Sequence, residues 1–408
     1  KSPNLRICYG YKNGELWLRH CPKEDIDFQV VTNSNADRIR EELQSYRYNS
    51  QTGPMWCSRL LIDCAGSMYN MDKDSFPHVS QLFFGIHHAF ADGITNAKIC
   101  GCFIKVLNDI ITGIAINEEQ IGNFVSDLET DRLVSSKIKE LQKMPKLRQD
   151  LEHILNEKGI GMPMIMKVFP APLGKDKTYS LTNVFDECTT KNFIERSKAE
   201  DVTLNSAFTA LTLAATVDIL IENSLDQEYY RLCHSHVLNL RRYWSREASQ
   251  VLGCHAHTPL EIWSNVPKNV TENFWEFSRQ LHQDLYKHIR EGTLLLREAY
   301  LKSSGKGNPY EDSIYSSWIP KQVDVCISNL GDVTPLVTEG GEHVRAFNIV
   351  RQVSLQKTEV KNLAFMILTL RGRLILNLLY NTKYTTKKVA GLYCQKLCTL
   401  LETILKNK

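Results

Sequence analysis

The stretch GIHHAFADG, residues 85–93, joins two patterns of different periodicity. The apolar run before it, VSQLFFGI at 79–86, predicts a buried strand that ends at the two adjacent histidines. Residues 93–112 instead place their apolar side chains on one helical face, and Gly113 provides a C-terminal stop. The pattern HHxxxDG therefore lies at a strand-to-helix junction, which is typical of a mixed α/β fold.

The histidines and the aspartate of this junction suit acid–base chemistry. A neutral imidazole can take a proton from a hydroxyl or an amine as that group attacks a carbonyl, which would make His88 a general base. Asp92 could lock the turn by binding a distant arginine or a backbone donor. Gly93 would let a substrate or another backbone approach closely. A histidine beside an apolar strand is more often a satisfied core residue, so the spacing alone leaves both interpretations open.

Length and composition predict a globular chain of two domains. The chain has 408 residues, of which 43% are hydrophobic and 23% charged, whereas one domain commonly spans about 100–200 residues. The net charge is only +3 and the basic residues are scattered, so nucleic acid is not the expected partner. Residues 362–380 form the longest apolar stretch, but Arg371-Gly372-Arg373 interrupts it, so no membrane span is predicted.

The domain boundary is predicted in the Gly-, Pro- and Met-rich stretch at 159–180, because its three prolines prevent a continuous helix or a central strand. We therefore predict an N-terminal domain at 1–165, a linker or crossover at 166–190 and a C-terminal domain at 191–408. The elements predicted for the C-terminal domain are a buried helix at 203–222, a strand at 233–244, a helix at 273–291, a strand at 323–328, a hairpin at 362–380 and a helix from residue 385.

Cysteine and histidine usage leaves two alternatives open. The twelve cysteines are dispersed and no CxxC pattern occurs, which favours buried thiols in a reducing cytosol over a secreted, disulfide-bonded protein. The pairs CHSH at 233–236 and CHAH at 254–257 could bring four histidine nitrogens to a zinc ion. Histidines half-buried on neighbouring strands are the preferred interpretation, and we predict no metal site.

Four stretches, taken together, resemble one superfamily. HHxxxDG is followed in order by VLNLRRYW at 237–244, CISNLGD at 326–332 and the closing segment at 374–405. They are similar to the acyltransferase superfamily that includes chloramphenicol acetyltransferase, condensation domains of peptide synthetases, plant BAHD enzymes, alcohol acetyltransferases and mycobacterial polyketide-associated acyltransferases. The Asn-Leu-Arg and Ser-Asn-Leu-Gly pieces look most like alcohol acetyltransferase-like and polyketide-associated members. The BAHD signature DFGWG is absent, so that branch is not supported.

The resemblance implies a fold of two chloramphenicol-acetyltransferase-like α/β sandwich domains with an active-site tunnel between them. It implies transfer of an acyl group from acyl-CoA, a co-substrate, to a small-molecule alcohol, without a covalent acyl-enzyme and without a tightly bound cofactor. We expect a cytoplasmic monomer. The alternatives are condensation-type amide or ester formation from an acyl group bound to a carrier protein, with an amine or alcohol acceptor, and a non-catalytic binding relative.

The resemblance also assigns roles to residues of the first domain. His88, the second histidine of the pair, would be the base, and His87 would pack in support. Asp92 would be structural, its carboxylate paired with an arginine of the other half of the chain. Arg241 is the predicted partner and Arg242 the alternative, because a charge-assisted hydrogen bond can hold a loop in place. A solvated surface arginine is the competing interpretation of Arg241.

Two further implications concern the second domain and the start of the chain. Ser328 and Asn329 would lie near the site of acyl transfer and stabilise the oxyanion of the tetrahedral intermediate. A strand-ending turn would also explain both residues. The opening SPNLRICYG, residues 2–10, resembles a segment that these enzymes reach after a first strand and helix. We therefore expect the N-terminal domain to lack that strand and helix here.

Overall fold

The computed structural model describes most of the chain. The described residues are 1–21, 25–32, 34–62, 76, 78–126, 128–156, 162–245, 248–304, 323–337, 342–356 and 363–406. They form two compact units. Unit 1 comprises Lys1–Ser126, Ser245–Ala256 and Val333–Asn348, and unit 2 comprises Asp127–Trp244, His257–Asp332 and Ile349–Lys408.

Both units are discontinuous in sequence, which differs from the predicted boundaries. Unit 1 gives way to unit 2 at residues 126–127 instead of near 165, and two later segments return to unit 1. The predicted linker at 166–190 contains the strand Thr178–Val184, which starts after the last proline of that stretch. Periodicity could not reveal the returning segments, because their partners are distant in sequence.

Unit 1 combines short strands with one long helix. Its elements are β1 (Ile7–Lys12), β2 (Glu15–His20), β3 (Phe28–Val31), α1 (Ala36–Gln44), β4 (Trp56–Leu61), β5 (Gln81–Ile86), α2 (Gly93–Thr112), β6 (Asn123–Phe124), β9 (Val251–Leu252) and α10 (Thr334–Val337). β1 and β2 form an antiparallel hairpin. β4 lies between β3, to which it is parallel, and β5, to which it is antiparallel. β6 pairs in parallel with β9, so strand pairing attaches the segment 245–256 to this unit.

Unit 2 is built on a six-stranded sheet. Its elements are α3 (Leu128–Gln142), α4 (Pro145–Asn156), α5 (Ile165–Val168), β7 (Thr178–Val184), α6 (Glu187–Ala199), α7 (Leu204–Glu222), β8 (Tyr229–Asn239), β10 (Ala256–Pro267, whose first residue belongs to unit 1), α8 (Phe274–Glu291), α9 (Thr293–Ser303), β11 (Val325–Asp332), β12 (Leu363–Leu370), β13 (Arg373–Asn381) and α11 (Lys387–Lys406). The strand order is β10-β8-β11-β12-β13-β7. β8, β11 and β12 run parallel, whereas β13 is antiparallel to both of its neighbours.

Helix α7 forms the centre of the unit 2 core, as its apolar sequence predicted. The Phe208 ring packs edge-on against Phe365 of β12 at 6.2 Å, and the Tyr393 hydroxyl donates to Thr216 Oγ1 at 3.0 Å. Among the described helices, α7 alone is long and apolar enough to cross a membrane, but 78% of its most apolar window is buried in the protein. Burial of this kind is typical of a core helix.

Most of the elements predicted in unit 2 are confirmed, with corrections at their ends. The strand predicted at 233–244 ends at Asn239 and continues as a 3₁₀ helix, Leu240–Tyr243. The Asn239 side chain accepts a hydrogen bond from the Arg241 amide at 3.1 Å, which competes with strand pairing. The strand predicted at 323–328 runs from Val325 to Asp332. The end of β8 and the extent of β11 therefore depend on a side-chain hydrogen bond and on strand register, which the hydrophobic periodicity of the sequence does not reveal.

Gly101 of α2 has no room for a side chain, because the backbone of α10 passes close to it. A Cβ at this position would lie 1.9 Å from the Leu336 carbonyl oxygen and 3.3 Å from Val337 Cα. We therefore expect Gly101→Ala to destabilise the protein by about 1–3 kcal/mol, because a backbone carbonyl must move. Thermal unfolding of this variant beside Gly391→Ala checks the expectation.

Gly391 is the matched control because it lies in α11, where an added Cβ would meet no neighbouring atom within 4 Å. Alanine there should be neutral or should stabilise the helix by about 0.5–1 kcal/mol. Equal melting temperatures for the two variants would contradict the close approach at Gly101.

Candidate active site

The HHxxxDG motif connects β5 to α2 through one short 3₁₀ helix, His88–Phe90. His87 caps this helix, since its Nδ1 accepts a hydrogen bond from the Ala89 amide at 3.3 Å. Burial lowers the pKa of His87, and the neighbouring His88 lowers it further, so His87 is held neutral. The next residue, His88, is exposed and available to solutes.

Aromatic rings hold His87 in place. Its imidazole makes edge contacts with Tyr48 at 5.8 Å, with Phe90 at 6.0 Å and with Tyr9 at 6.2 Å between ring centroids. Such edge-to-face pairs fix the orientation of a ring as well as burying it. The two adjacent histidines thus differ: His87 is packed into unit 1, and His88 faces outward.

Asp92 joins the start of α2 to the segment 245–256. Its side chain is 2% exposed. Oδ1 accepts a hydrogen bond from the Thr95 amide at 2.9 Å, which caps the helix, and Oδ2 accepts one from the His255 amide at 2.9 Å. The Asp92 amide donates to the Gly253 carbonyl at 3.1 Å. One carboxylate therefore satisfies two buried donors that lie far apart in sequence.

Gly253 and Thr95 complete this junction. Thr95 Oγ1 donates to the Gly253 carbonyl at 2.8 Å and accepts from the Gly253 amide at 3.1 Å. Gly253 has φ +133°, and a Cβ there would lie 2.7 Å from His255 Nε2 and 2.9 Å from the Val125 carbonyl oxygen. Only glycine fits this backbone, and the hydrogen bonds of Gly253 and His255 hold residues 253–255 against the start of α2.

Cys254 lies between the two anchored residues and beside His88. Its Sγ is 3.3 Å from His88 Nδ1, within hydrogen-bonding distance for sulfur. Sequence reasoning missed this contact, because the CHAH pattern drew attention to its histidines as metal ligands. Cys254 and His88 are separated by 166 residues, so no local sequence pattern indicates that they lie in contact.

The arginines proposed as partners of Asp92 differ in burial. Arg241 is 7% exposed, and its Nη1 donates to Asn239 Oδ1 at 3.3 Å. The interpretation of Arg241 as a solvated surface residue is therefore wrong, whereas Arg242 is exposed. Asp92 belongs to unit 1 and Arg241 to unit 2, and their ion pair stays a prediction.

Ser328 and Asn329 lie within β11 of unit 2. Ser328 Oγ accepts a hydrogen bond from Arg351 Nη2 at 3.1 Å. Asn329 Oδ1 accepts one from the Gly331 amide at 2.8 Å, and Gly331 has φ +73°. The pairing of β11 with β12 shifts between Asn329 and Asp332, so the strand interpretation holds for Ser328 and an irregularity begins at Asn329. Their oxyanion role stays a prediction.

The histidine pair of β8 is deeply buried. His234 Nδ1 lies 2.9 Å from His236 Nε2, and His234 Nε2 lies 3.0 Å from Ser264 Oγ on β10. These histidines therefore hydrogen-bond to each other in the core and are more buried than predicted, while His236 Nδ1 is buried without a hydrogen-bond partner among the described residues. Within the described part of the chain, no three His, Cys, Asp or Glu side chains converge to hold a metal ion. The side chain of His257 lies outside the described part.

The buried histidine pair should make the fold sensitive to acid. Burial lowers the pKa of His236 to about 4, and burial, helped by the neighbouring His236, also holds the pKa of His234 well below its usual range. As the pH falls below the ordinary histidine pKa, these two histidines become protonated in the unfolded chain while they stay neutral in the folded protein. The free energy of unfolding therefore falls by about 1.4 kcal/mol per pH unit for each such histidine. We expect the melting temperature of the wild type to fall relative to that of His236→Asn between pH 7 and pH 5.

The comparison with His236→Asn matters because Glu261 acts in the opposite direction. Burial raises the pKa of Glu261 to about 7, so the contribution of Glu261 makes the free energy of unfolding fall as the pH rises. Glu261 is present in both proteins, and its effect cancels in the difference. A constant difference in melting temperature from pH 7 to pH 5 would contradict the assignment to His236.

The fold that carries this site recurs among solved structures. No family model matches the sequence, and no curated protein matches it. Among solved structures, the trichothecene 15-O-acetyltransferase from Fusarium sporotrichioides is similar with a TM-score of 0.67 at 13% identity, covering 99% of this chain and 84% of that one.

Domains of peptide synthetases are similar as well. The first condensation domain of the CDA synthetase has a TM-score of 0.62 at 12% identity, covering 99% of this chain and 84% of that one. The epimerization domain from the third module of tyrocidine synthetase B has a TM-score of 0.61 at 13% identity, covering 99% and 85%. The chain therefore has the α/β fold shared by condensation domains and chloramphenicol-acetyltransferase-like acyltransferases, as its motifs predicted.

Proposed function

We propose that this protein is an acyltransferase that moves an acyl group from a thioester, acyl-CoA, to the hydroxyl of a small-molecule alcohol. The observation that carries the proposal is the placement of His88. This exposed imidazole lies on a short 3₁₀ helix whose two ends are fixed, by the packed His87 and by the buried Asp92. A base held in this way keeps its position while substrates come and go.

The chemical role of His88 follows from that position. As the acceptor hydroxyl attacks the acyl carbonyl, His88 removes its proton, and the thiol of the donor leaves. Asp92 is a positioning residue: both of its oxygens accept backbone hydrogen bonds, so its carboxylate maintains the junction and takes no part in proton transfer. Ser328 and Asn329 remain our candidates for stabilising the oxyanion.

A carrier-protein donor is the second candidate. It is favoured by the similarity to condensation domains, which shows the fold and leaves the donor open. In that case the same base would serve amide or ester formation from a tethered acyl group. A non-catalytic binding relative would need neither an accessible base nor a fixed junction.

We also propose that the protein works in a reducing, cytoplasmic setting. Eleven of its twelve cysteines lie in the described residues, and none of these eleven is in a disulfide. Burial raises the pKa of the Cys100 thiol to about 11 and that of Cys394 to about 12. Protonated, partly buried thiols of this kind are typical of proteins whose cysteines serve as small apolar side chains.

Thiol release from a panel of donors tests the proposed function. The panel combines acyl-CoA thioesters from acetyl to long-chain with a mixture of alcohols and amines, and repeats the series with acyl groups on a carrier protein. Acceptor-dependent release of CoA by the wild type, absent in His88→Ala, is the expected result. Release only from the carrier protein would select the second candidate. No release from any donor would refute acyl transfer and favour the binding alternative.

A further inference from the structure

A segment without helix or strand, residues 349–355, lies on one face of the unit 2 sheet. Asn377 of β13 donates a hydrogen bond through Nδ2 to the carbonyl of Arg351. Asn381, further along the same strand, donates through Nδ2 to the carbonyl of Leu355 at 2.9 Å. These two asparagines are 1% and 2% exposed. Buried side chains of the sheet therefore hold the backbone that carries the Arg351 side chain.

The register of β11 and β12 places Ser328 on that same face. Ser328 pairs with Met366, and Asn329 pairs with Ile367. Paired residues of neighbouring strands point to the same side of a sheet, and successive residues of one strand point to opposite sides. Met366 packs with Leu355, whereas Ile367 belongs to the core that contains α7. Ser328 thus faces the segment, and Asn329 is directed away from it.

Arg351 and Ser328 form a hydrogen bond whose direction follows from their chemistry. Arg351 Nη2 lies 3.1 Å from Ser328 Oγ, and a guanidinium has donors only, so the hydroxyl oxygen accepts. The hydroxyl also has one proton to donate, which this bond leaves unused. Within the described part of the chain, Arg351 is the one hydrogen-bond partner of the Ser328 hydroxyl, and Ser328 is 6% exposed. The Ser328 proton is therefore an unused donor in a nearly buried place.

An unused donor of this kind has a physical consequence for a bound group. A buried donor that lacks an acceptor raises the free energy of the protein, and a bound acceptor removes that cost. Because arginine stays protonated, its guanidinium always keeps the hydroxyl proton of Ser328 turned away from itself. Its positive charge also strengthens the hydroxyl as a donor to a negatively charged oxygen. An oxyanion that forms at this hydroxyl would meet a donor oriented beforehand, which is the arrangement that stabilises a transition state.

We propose that Arg351 is a positioning residue that directs the hydroxyl proton of Ser328 toward the oxyanion of the tetrahedral intermediate. This inference rests on the proposed acyltransferase function. It narrows the oxyanion role to Ser328, because Asn329 is directed to the other side of β11. No proton is transferred in this step: the oxyanion accepts a hydrogen bond from Ser328 Oγ while His88 holds the proton of the acceptor. Arg351 acts through the serine alone.

Steady-state kinetics of Ser328→Ala, Arg351→Met and the double variant test the proposal, with the donor and acceptor that the panel selects. Ser328→Ala should lower kcat by about 10²–10³-fold, the usual effect of removing one oxyanion donor. Arg351→Met keeps an aliphatic side chain without a donor, and it should lower kcat by about 10–100-fold, as loss of an outer partner does at other sites. The KM values of both substrates should change little, because the hydrogen bond to the oxyanion exists only in the transition state.

The double variant shows whether the two residues act as one unit. It should lose no more kcat than Ser328→Ala alone, because Arg351 has no hydroxyl left to orient. Arg351→Lys retains the charge and a donor on a shorter side chain, so its kcat should lie between those of the wild type and Arg351→Met. If Arg351→Met does not fold, Arg351→Lys takes its place in the double variant. Arg279→Met removes an exposed arginine of α8 that pairs with Glu200, and this matched control should keep wild-type kinetics.

Three results would overturn the proposal. Losses that multiply in the double variant would mean that Arg351 and Ser328 act independently. A higher KM with unchanged kcat in Arg351→Met would mean that Arg351 binds a substrate itself. Full kcat in Ser328→Ala would remove this hydroxyl as the donor. In each case, acceptor-dependent release that still requires His88 leaves the acyltransferase function standing, whereas absence of release by the wild type with every donor refutes that function and the role of Arg351 with it.

Discussion

Alanine at position 88 is expected to lower acyl transfer by about 10²–10⁴-fold, the usual contribution of a positioned general base. The loss should appear mainly in kcat, because the imidazole acts on the transferring proton and its removal leaves substrate-binding surfaces intact. Steady-state kinetics with the donor and acceptor selected by the panel give this number directly. His88 is exposed, so the melting temperature should change little.

The matched control is His20→Ala, which removes another exposed histidine of unit 1, on β2. This variant should retain wild-type kinetics. A drop in kcat of similar size in both variants would indicate a general effect on unit 1, and full activity of His88→Ala would eliminate His88 as the base. Loss of activity together with a large fall in melting temperature would mean that His88 is structural.

The elements that sequence reasoning predicted well are those whose own residues determine them. Helix α2 starts at an aspartate cap and stops at Gly113, which has φ +68°, as the sequence predicts. Helix α7 is apolar on all sides and is buried on nearly all of them. The hairpin of β12 and β13 turns at Arg371 and Gly372, both with positive φ. Local signals were sufficient in these three cases.

The elements that escaped prediction depend on partners far away in the chain. The segment 245–256 joins unit 1 through the β6–β9 pairing and through the Asp92 carboxylate, and neither partner leaves a periodic signal. Strand β7 lies in the stretch predicted as a linker, because three prolines precede it, yet β13 pairs with its whole length. For the same reason the histidine and the aspartate of the site were identified from sequence, and Cys254 was not.

Asp92→Ala is expected to lower the free energy of unfolding more than loss of an ordinary helix cap. Losing the hydrogen bond from the Thr95 amide costs about 0.5–2 kcal/mol, typical for an N-cap. The His255 amide is also left without its acceptor in a buried place, which adds about 1–3 kcal/mol. We therefore expect a combined loss of about 1.5–5 kcal/mol in chemical denaturation, together with a fall in transfer activity, since the junction that positions His88 is loosened.

Two variants dissect this loss. Asp186→Ala removes the cap of α6, where the side chain accepts from the Thr189 amide at 2.6 Å, and should cost only the cap's share of about 0.5–2 kcal/mol. Asp92→Asn keeps a capping oxygen for Thr95 but turns an amide NH₂ toward the His255 amide. This variant should therefore lose only the hydrogen bond from the His255 amide, with its contribution of about 1–3 kcal/mol. Hydrogen exchange at residues 250–256 should accelerate in both Asp92 variants and stay unchanged in Asp186→Ala. Unaltered exchange there in Asp92→Ala would show that the carboxylate does not hold this segment, and the anchoring of Cys254 would need another source.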